Sequence, residues 1–173
     1  MLVMKLRQTL RNLVILTIVF CNIGCDQISK NIVREQIDYN ESIRFLNDRL
    51  TVTKVENTGA FLSLGNNLPE GLRLFLLVLL PVITLLGAII YIMIKQDISK
   101  VFILGACFTI GGGIGNLYDR ILFGSVTDFL HISFGIFQTG IFNMADVSIM
   151  IGMGFLIVGS QQKNHRLQKT DTA

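Results

Sequence analysis

The sequence predicts an all-α polytopic membrane protein. Four transmembrane helices carry a small sheet and a short amphipathic helix on the outer membrane surface. Three observations predict this. The chain of 173 residues is 51% hydrophobic and only 16% charged, where a soluble domain carries about a quarter charged residues. Its mean hydropathy is +0.58. Four apolar segments, at about 10–28, 72–94, 101–121 and 141–159, each approach the roughly 20 residues needed to cross the hydrocarbon core. At this length a single domain over residues 1–173 is expected.

The first segment follows a basic start with Lys5, Arg7 and Arg11. That start, the apolar run and Gly24-Cys25 also resemble a lipoprotein signal peptide. Asn22 is a poor residue three before such a cysteine, and three more spanning segments follow, so a membrane helix is expected instead. The second segment is the clearest, with Pro81 as the expected kink. The third is rich in glycine, and Gly111 and Gly115 form a small-xxx-small pair that lets helices approach closely. It has no Walker-type Lys-Ser/Thr and no preceding strand, so a phosphate cradle is not expected.

Orientation follows from Lys and Arg. The N-terminus, the turn with Lys95 and Lys100, and the tail with Lys163, Arg166 and Lys169 fall on one side, expected to be cytoplasmic. Loops 29–71 and 122–140 then face outward. Leu50 to Val55 alternates apolar and polar residues, as a strand does, and Val126 to Phe137 has similar character. Leu68 to Arg73 reads as an amphipathic lead-in to the second helix. The net charge of +3 lies in tails and loops, which fits bilayer orientation and not a nucleic-acid face.

The chemistry centres on Asp128 and Asp146, at the outward ends of the third and fourth segments. An acid at the membrane boundary is costly to desolvate and is by default a functional candidate. Taken singly, each could cap a helix N-terminus or pair with a base. Two at one depth can share a proton: one serves as general base on a water while its protonated partner hydrogen-bonds a carbonyl. Asn116 and Arg120, four apart, offer a donor-rich helix face suited to a peptide carbonyl or lipid ester. Asp119 can partner Arg120, or each can take another partner. Asp26 and Lys30 read as an i,i+4 ion pair with a structural role. Ser125 and His131 lack an orienting third group. Two histidines and three cysteines, Cys21, Cys25 and Cys107, make no metal-ligand or disulfide pattern, so neither metal nor cofactor is expected.

At these residues the chain resembles the lipoprotein signal peptidases, the type II signal peptidases of bacteria. The blocks are Asp26-Gln27-Ile28-Ser29-Lys30, then Asn57-Thr58-Gly59-Ala60-Phe61. Gly112 to Arg120 with Val126-Thr127-Asp128-Phe129 is the third, and Phe142-Asn143-Met144-Ala145-Asp146 the last. Singly they are weak motifs; together, in order, they are specific. The resemblance implies an aspartic endopeptidase of the bacterial inner membrane with Asp128 and Asp146 as dyad. It implies cleavage of diacylglyceryl-modified prolipoproteins just before the lipidated cysteine. Asn57, Gly59, Ala60, Gly112, Asn116, Arg120, Asn143 and Ala145 would form the substrate site, supported by Asp26, Lys30 and Asp119. It also implies an extracytoplasmic β-cradle, inhibition by globomycin and a site at the outer face; a monomer amid membrane lipid is expected. Two positions depart from the usual pattern: Phe61 follows a single small residue, and Thr127 stands where an aliphatic residue is usual.

A small channel or transporter is the rival class, since intramembrane acids also relay protons. Such proteins more often place their acids at the midplane and show paired repeats. A structural subunit using the glycines only for packing is the third reading.

Overall fold

In the computed structural model, which describes residues 2–60 and 68–171, four helices are long and apolar enough to cross a membrane. The first, α1, spans Leu2–Gln36 and runs well past the apolar segment that announces it. Its polar extension is held by the sheet: Val33, with Ile37 just beyond, is buried against Phe129, Val52 and Leu130. The second span is α2 (Glu70–Leu74), a π-helical turn (Phe75–Leu79) and α3 (Leu80–Ile94) in unbroken succession. The lead-in is thus helical from Glu70 and continuous with the span, and Phe61 lies outside the described residues. Proline lacks an N–H and its ring crowds the preceding turn. The disturbance expected at Pro81 appears one turn earlier, where the Leu80 N–H reaches back to the Phe75 carbonyl.

α4 (Lys100–Phe123) is the central helix. The Ser99 hydroxyl caps its start by accepting from the Phe102 N–H at 3.1 Å. Gly124, at φ 74°, ends it in the left-handed conformation that glycine adopts without a Cβ penalty. That reversal sends the chain into β3 (Val126–Phe134). With β1 (Ser42–Phe45), β2 (Leu50–Asn57) and β4 (Phe137–Gln138) it forms an antiparallel sheet in the order β1-β2-β3-β4. The last helix, α5, spans Met144–Asp171.

The glycines of α4 seat its neighbours. A Cβ on Gly111 would lie 2.6 Å from the Asn22 side chain, and one on Gly115 2.5 Å from the Asp26 carboxylate, so both admit α1. Gly112 is overlain by the Ala145 carbonyl, and a Gly105 Cβ would meet the Gly152 carbonyl at 2.7 Å, so these admit α5. The apolar core around Ile15, Val19, Ile92, Cys107 and Ile110 lies between α1, α3 and α4. At the far end from the sheet, Arg11 donates to the carbonyls of Ile92 and Lys95 and satisfies the C-terminus of α3.

Gly112→Ala should lower the thermal unfolding temperature in detergent, because overpacking against backbone costs about 1–3 kcal/mol. Gly87→Ala, at a helical position with nothing within 4 Å, should leave it unchanged or raise it.

Candidate active site

α1, α4 and α5 meet beneath the sheet around a buried group of charges. Lys30 Nζ lies 2.8 Å from Asp26 Oδ2 and 3.0 Å from Asp119 Oδ2, with all three side chains fully buried. The Arg34 guanidinium reaches Asp119 Oδ2 at 3.0 Å and stacks over the Phe123 ring. Two cations and two anions balance, which a buried ion cluster requires. Asp119 therefore pairs with α1, and Arg120 turns the other way. It donates to the carbonyl of Gly59 at 2.9 Å.

The cluster also sets the start of α5. Asp26 Oδ1 accepts from the Ala145 N–H at 2.8 Å. Asn143 and Asp146 form a reciprocal capping box: the Asp146 N–H donates to Asn143 Oδ1 at 3.0 Å, and the Asn143 N–H to Asp146 Oδ2 at 3.2 Å. Asp146 is thus a helix-start residue, as its position alone suggests. It has a second tie, accepting from Asn116 Nδ2 at 2.9 Å. Asn116 Oδ1 in turn accepts from Lys30 Nζ at 2.9 Å and from Asn143 Nδ2 at 3.1 Å, so its carbonyl faces the ammonium and its NH₂ faces Asp146.

β3 brings in the second acid. Its pairing with β2 places Val55 opposite Asp128 and Glu56 opposite Thr127, beyond a bulge between Val52 and Val55. Asn57 is diagonal to Asp128 on the same face and donates to Asp128 Oδ2 at 3.0 Å. Its side chain also organises the next turn, accepting from the Gly59 N–H and donating to the Ala60 carbonyl. Asn143 Nδ2 donates to Asp128 Oδ1 at 2.6 Å. Asn143 therefore hydrogen-bonds both aspartates and brings them to one site. Asp128 is only 5% exposed. Burial pushes its carboxyl up to about 6, aided by the neighbouring Asp146 charge and opposed by the Asn57 and Asn143 donors.

The acids face a cavity of about 730 Å³. Leu77 and Pro81 of the second span line one wall; Ile149 and Met150 of α5 line another. Asn57, Ala60, Asn116 and Arg120 also line it, while Gly59, Gly112, Asn143 and Ala145 do not. Gly59 and Asn143 act on the lining through hydrogen bonds; Gly112 and Ala145 lie in the α4–α5 contact. The Ser125 hydroxyl donates to Glu56 at 2.6 Å, and His131 sits opposite Thr51 in the ladder. No serine–histidine pair forms there. Sequence reasoning missed Arg34 and Glu56. Thr127 Oγ1 accepts from Arg34 Nε and donates to Glu56 Oε1, both at 2.9 Å. Only the β2–β3 register reveals that link.

The model of the signal peptidase II family matches residues 18–161. The chain belongs to the signal peptidase II family. A lipoprotein signal peptidase of Halothermothrix orenii is 38% identical over 77% of the chain and 85% of the relative. One from Helicobacter pylori is 30% identical over 94% of the chain and 99% of its own length. A solved bacterial membrane enzyme, determined in meso at 2.3 Å resolution, superposes with a TM-score of 0.76 at 22% identity, covering 87% of this chain and 89% of that one. The four-span fold with its sheet is thus that of a bacterial membrane enzyme, and membership in this signal peptidase family makes it a protease.

Lys30→Met should be among the most damaging substitutions. It leaves Asp26 without a cation and Asp119 with Arg34 as its cation among the described residues, and removing one side of a buried pair costs about 3–5 kcal/mol. Thermal unfolding in detergent should show this as a large loss of stability, or as failure to accumulate folded protein.

Proposed function

We propose that this signal peptidase is an aspartic endopeptidase that cleaves diacylglyceryl-modified prolipoproteins just before the lipidated cysteine. The observation that carries the reading is the bridging of Asp128 and Asp146 by Asn143 at the head of a cavity walled by membrane helices. The names of the relatives support the substrate class.

Asp128, whose carboxyl is held up to about 6, keeps the shared proton and hydrogen-bonds the scissile carbonyl. Asp146 acts as general base on a water set between the two carboxyls. The proton that Asp146 takes from water passes to the leaving amide nitrogen as the C–N bond breaks, so the dyad ends the cycle with the one proton on Asp128 with which it began. Arg120 and Asn116, both in the cavity wall, supply donors to carbonyls of the substrate chain. Asn57, Gly59 and Ala60 form the turn that closes over that chain; Asp26, Lys30 and Asp119 support the site from behind. The apolar wall of Leu77, Pro81, Ile149 and Met150 takes acyl chain and signal-peptide side chains. Globomycin would occupy this cavity and block the dyad. The distribution of Lys and Arg supports cytoplasmic termini with the sheet and dyad at the outer face.

A gel-shift assay in detergent tests this with a prolipoprotein offered with and without its diacylglyceryl group. Only the lipidated form should be cut. Asp128→Asn and Asp146→Asn should each lower turnover by about 10²–10⁴-fold or more while the protein still folds and binds. Undiminished cleavage by either variant would overturn the dyad.

The pH dependence has a definite sign. A carboxyl raised to about 6 is protonated below that pH and ionised above it. The reading needs the proton, so kcat/KM should fall as pH rises through an apparent value of about 6 or higher for the free dyad. The matching limb of kcat should lie at higher pH, because bound substrate desolvates the pair further.

A further inference from the structure

We infer that the tip of the β3–β4 hairpin is a membrane anchor, with Phe134, Ile136 and Phe137 seated in the interfacial zone of the leaflet on the sheet's side. The inference rests on the four-span fold and not on the proposed chemistry. Those side chains are 58%, 93% and 74% exposed, an unusual concentration of large apolar surface on one turn. Gly135, at φ 61°, makes the turn that presents them.

Two observations identify what covers them. The first is continuity with the lipid-facing surface. The cavity lined by Leu77, Pro81, Ile149 and Met150 of the spans is also lined by Ile132, Gln138 and Thr139, at the base of this hairpin. The hairpin therefore lies beside the spans at the membrane boundary, and its tip extends the apolar belt to which Met150 and Met153 belong. The second is charge. Residues 129–145 contain no Asp, Glu, Lys or Arg, so the hairpin itself carries none of these charges into the interface, and the neighbouring Arg49, over the Phe134 ring, can keep its guanidinium among the headgroups. The β1–β2 turn flanks the tip: the Arg49 carbonyl accepts from the Ser133 N–H at 2.9 Å, and the Arg49 guanidinium lies 5.9 Å over the Phe134 ring. That turn exposes Phe45 and Leu46 but carries Arg44 and Asp48, an exposed ion pair at 3.8 Å, so its charges stay on the headgroup and water side of the hairpin tip.

The depth is bounded by the backbone. β4 is a two-residue edge strand whose outer groups, like those of the turn, lack sheet partners among the described residues. Unsatisfied backbone is not tolerated in hydrocarbon. The aromatic rings therefore sit at the headgroup–acyl boundary, where amphipathic and aromatic groups collect. The hydrogen bonds of Thr139 to Ile132 tie this tip to the cavity rim. Anchoring the tip thus fixes the height of the cavity mouth relative to the leaflet.

The chain has no Trp, so one introduced tryptophan reports alone. Phe137→Trp, Ile136→Trp and, for comparison, Leu46→Trp would be reconstituted as full chains in phosphatidylcholine vesicles. Both hairpin variants should give blue-shifted emission, quenched most by lipid brominated near the headgroup and little by acrylamide. Leu46→Trp should show the reverse. Quenching of the hairpin variants by acrylamide alone would overturn the anchor. So would protection from both quenchers, which would mean that protein, such as a second copy of the chain, covers the tip. Strongest quenching by lipid brominated at the chain end would overturn the interfacial placement.

Discussion

The balanced charge cluster of Asp26, Lys30, Arg34 and Asp119 is the constraint on which the rest of this structure depends. Each ion alone would be prohibitively costly beneath the sheet of a membrane protein. Together they leave no net charge, and each takes a further task. Asp26 holds the first turn of α5, Lys30 orients the amide of Asn116, and Asp119 accepts from the Thr127 N–H at the start of β3. Arg34 reaches the same strand through the Thr127 hydroxyl. The cluster thereby sets, from behind, the two elements that carry the aspartates. It does so without lining the cavity.

The two acids differ because their settings differ. Asp146 belongs to a helix start, where it accepts from the Asn143 N–H and from the Asn116 side chain. Asp128 lies on a strand with a neighbouring acid and only side-chain amides as donors. Burial wins there and raises its carboxyl. Unequal environments for two carboxyls are what lets a pair divide acid and base work. The division of work proposed for this pair rests on one acid being helical and the other extended.

Much of this was legible in the sequence. The four spans follow from apolar length, and β2 follows from the alternation of Leu50 to Val55. The structure brings Asp128 and Asp146 together, as their positions at neighbouring segment ends led one to expect. Other features were hidden for physical reasons. The extension of α1 to Gln36 has charged and polar residues where it leaves the membrane, and only Val33 and Ile37 reveal its docking. β1 is a four-residue edge strand exposed along its length, so no buried face marks it. Whether Asp119 would pair with Arg120 or elsewhere could not be read from adjacency, because successive helical residues point in different directions. Nor could composition separate Gly112, which receives the Ala145 carbonyl, from a glycine exposed to substrate.

Thr127 shows how a departure from a family pattern acquires a cause. An aliphatic residue there would only fill space. In this chain the position is fully buried, beside Arg34 on α1 and opposite Glu56 on β2. A hydroxyl can accept from one and donate to the other, and both bonds are made. Glu56 also takes the Ser125 hydroxyl, so the carboxylate is held at both oxygens. Neighbouring strand residues point to opposite faces. Thr127 therefore links α1 to the sheet on one face of β3, while Asp128 faces the cavity from the other.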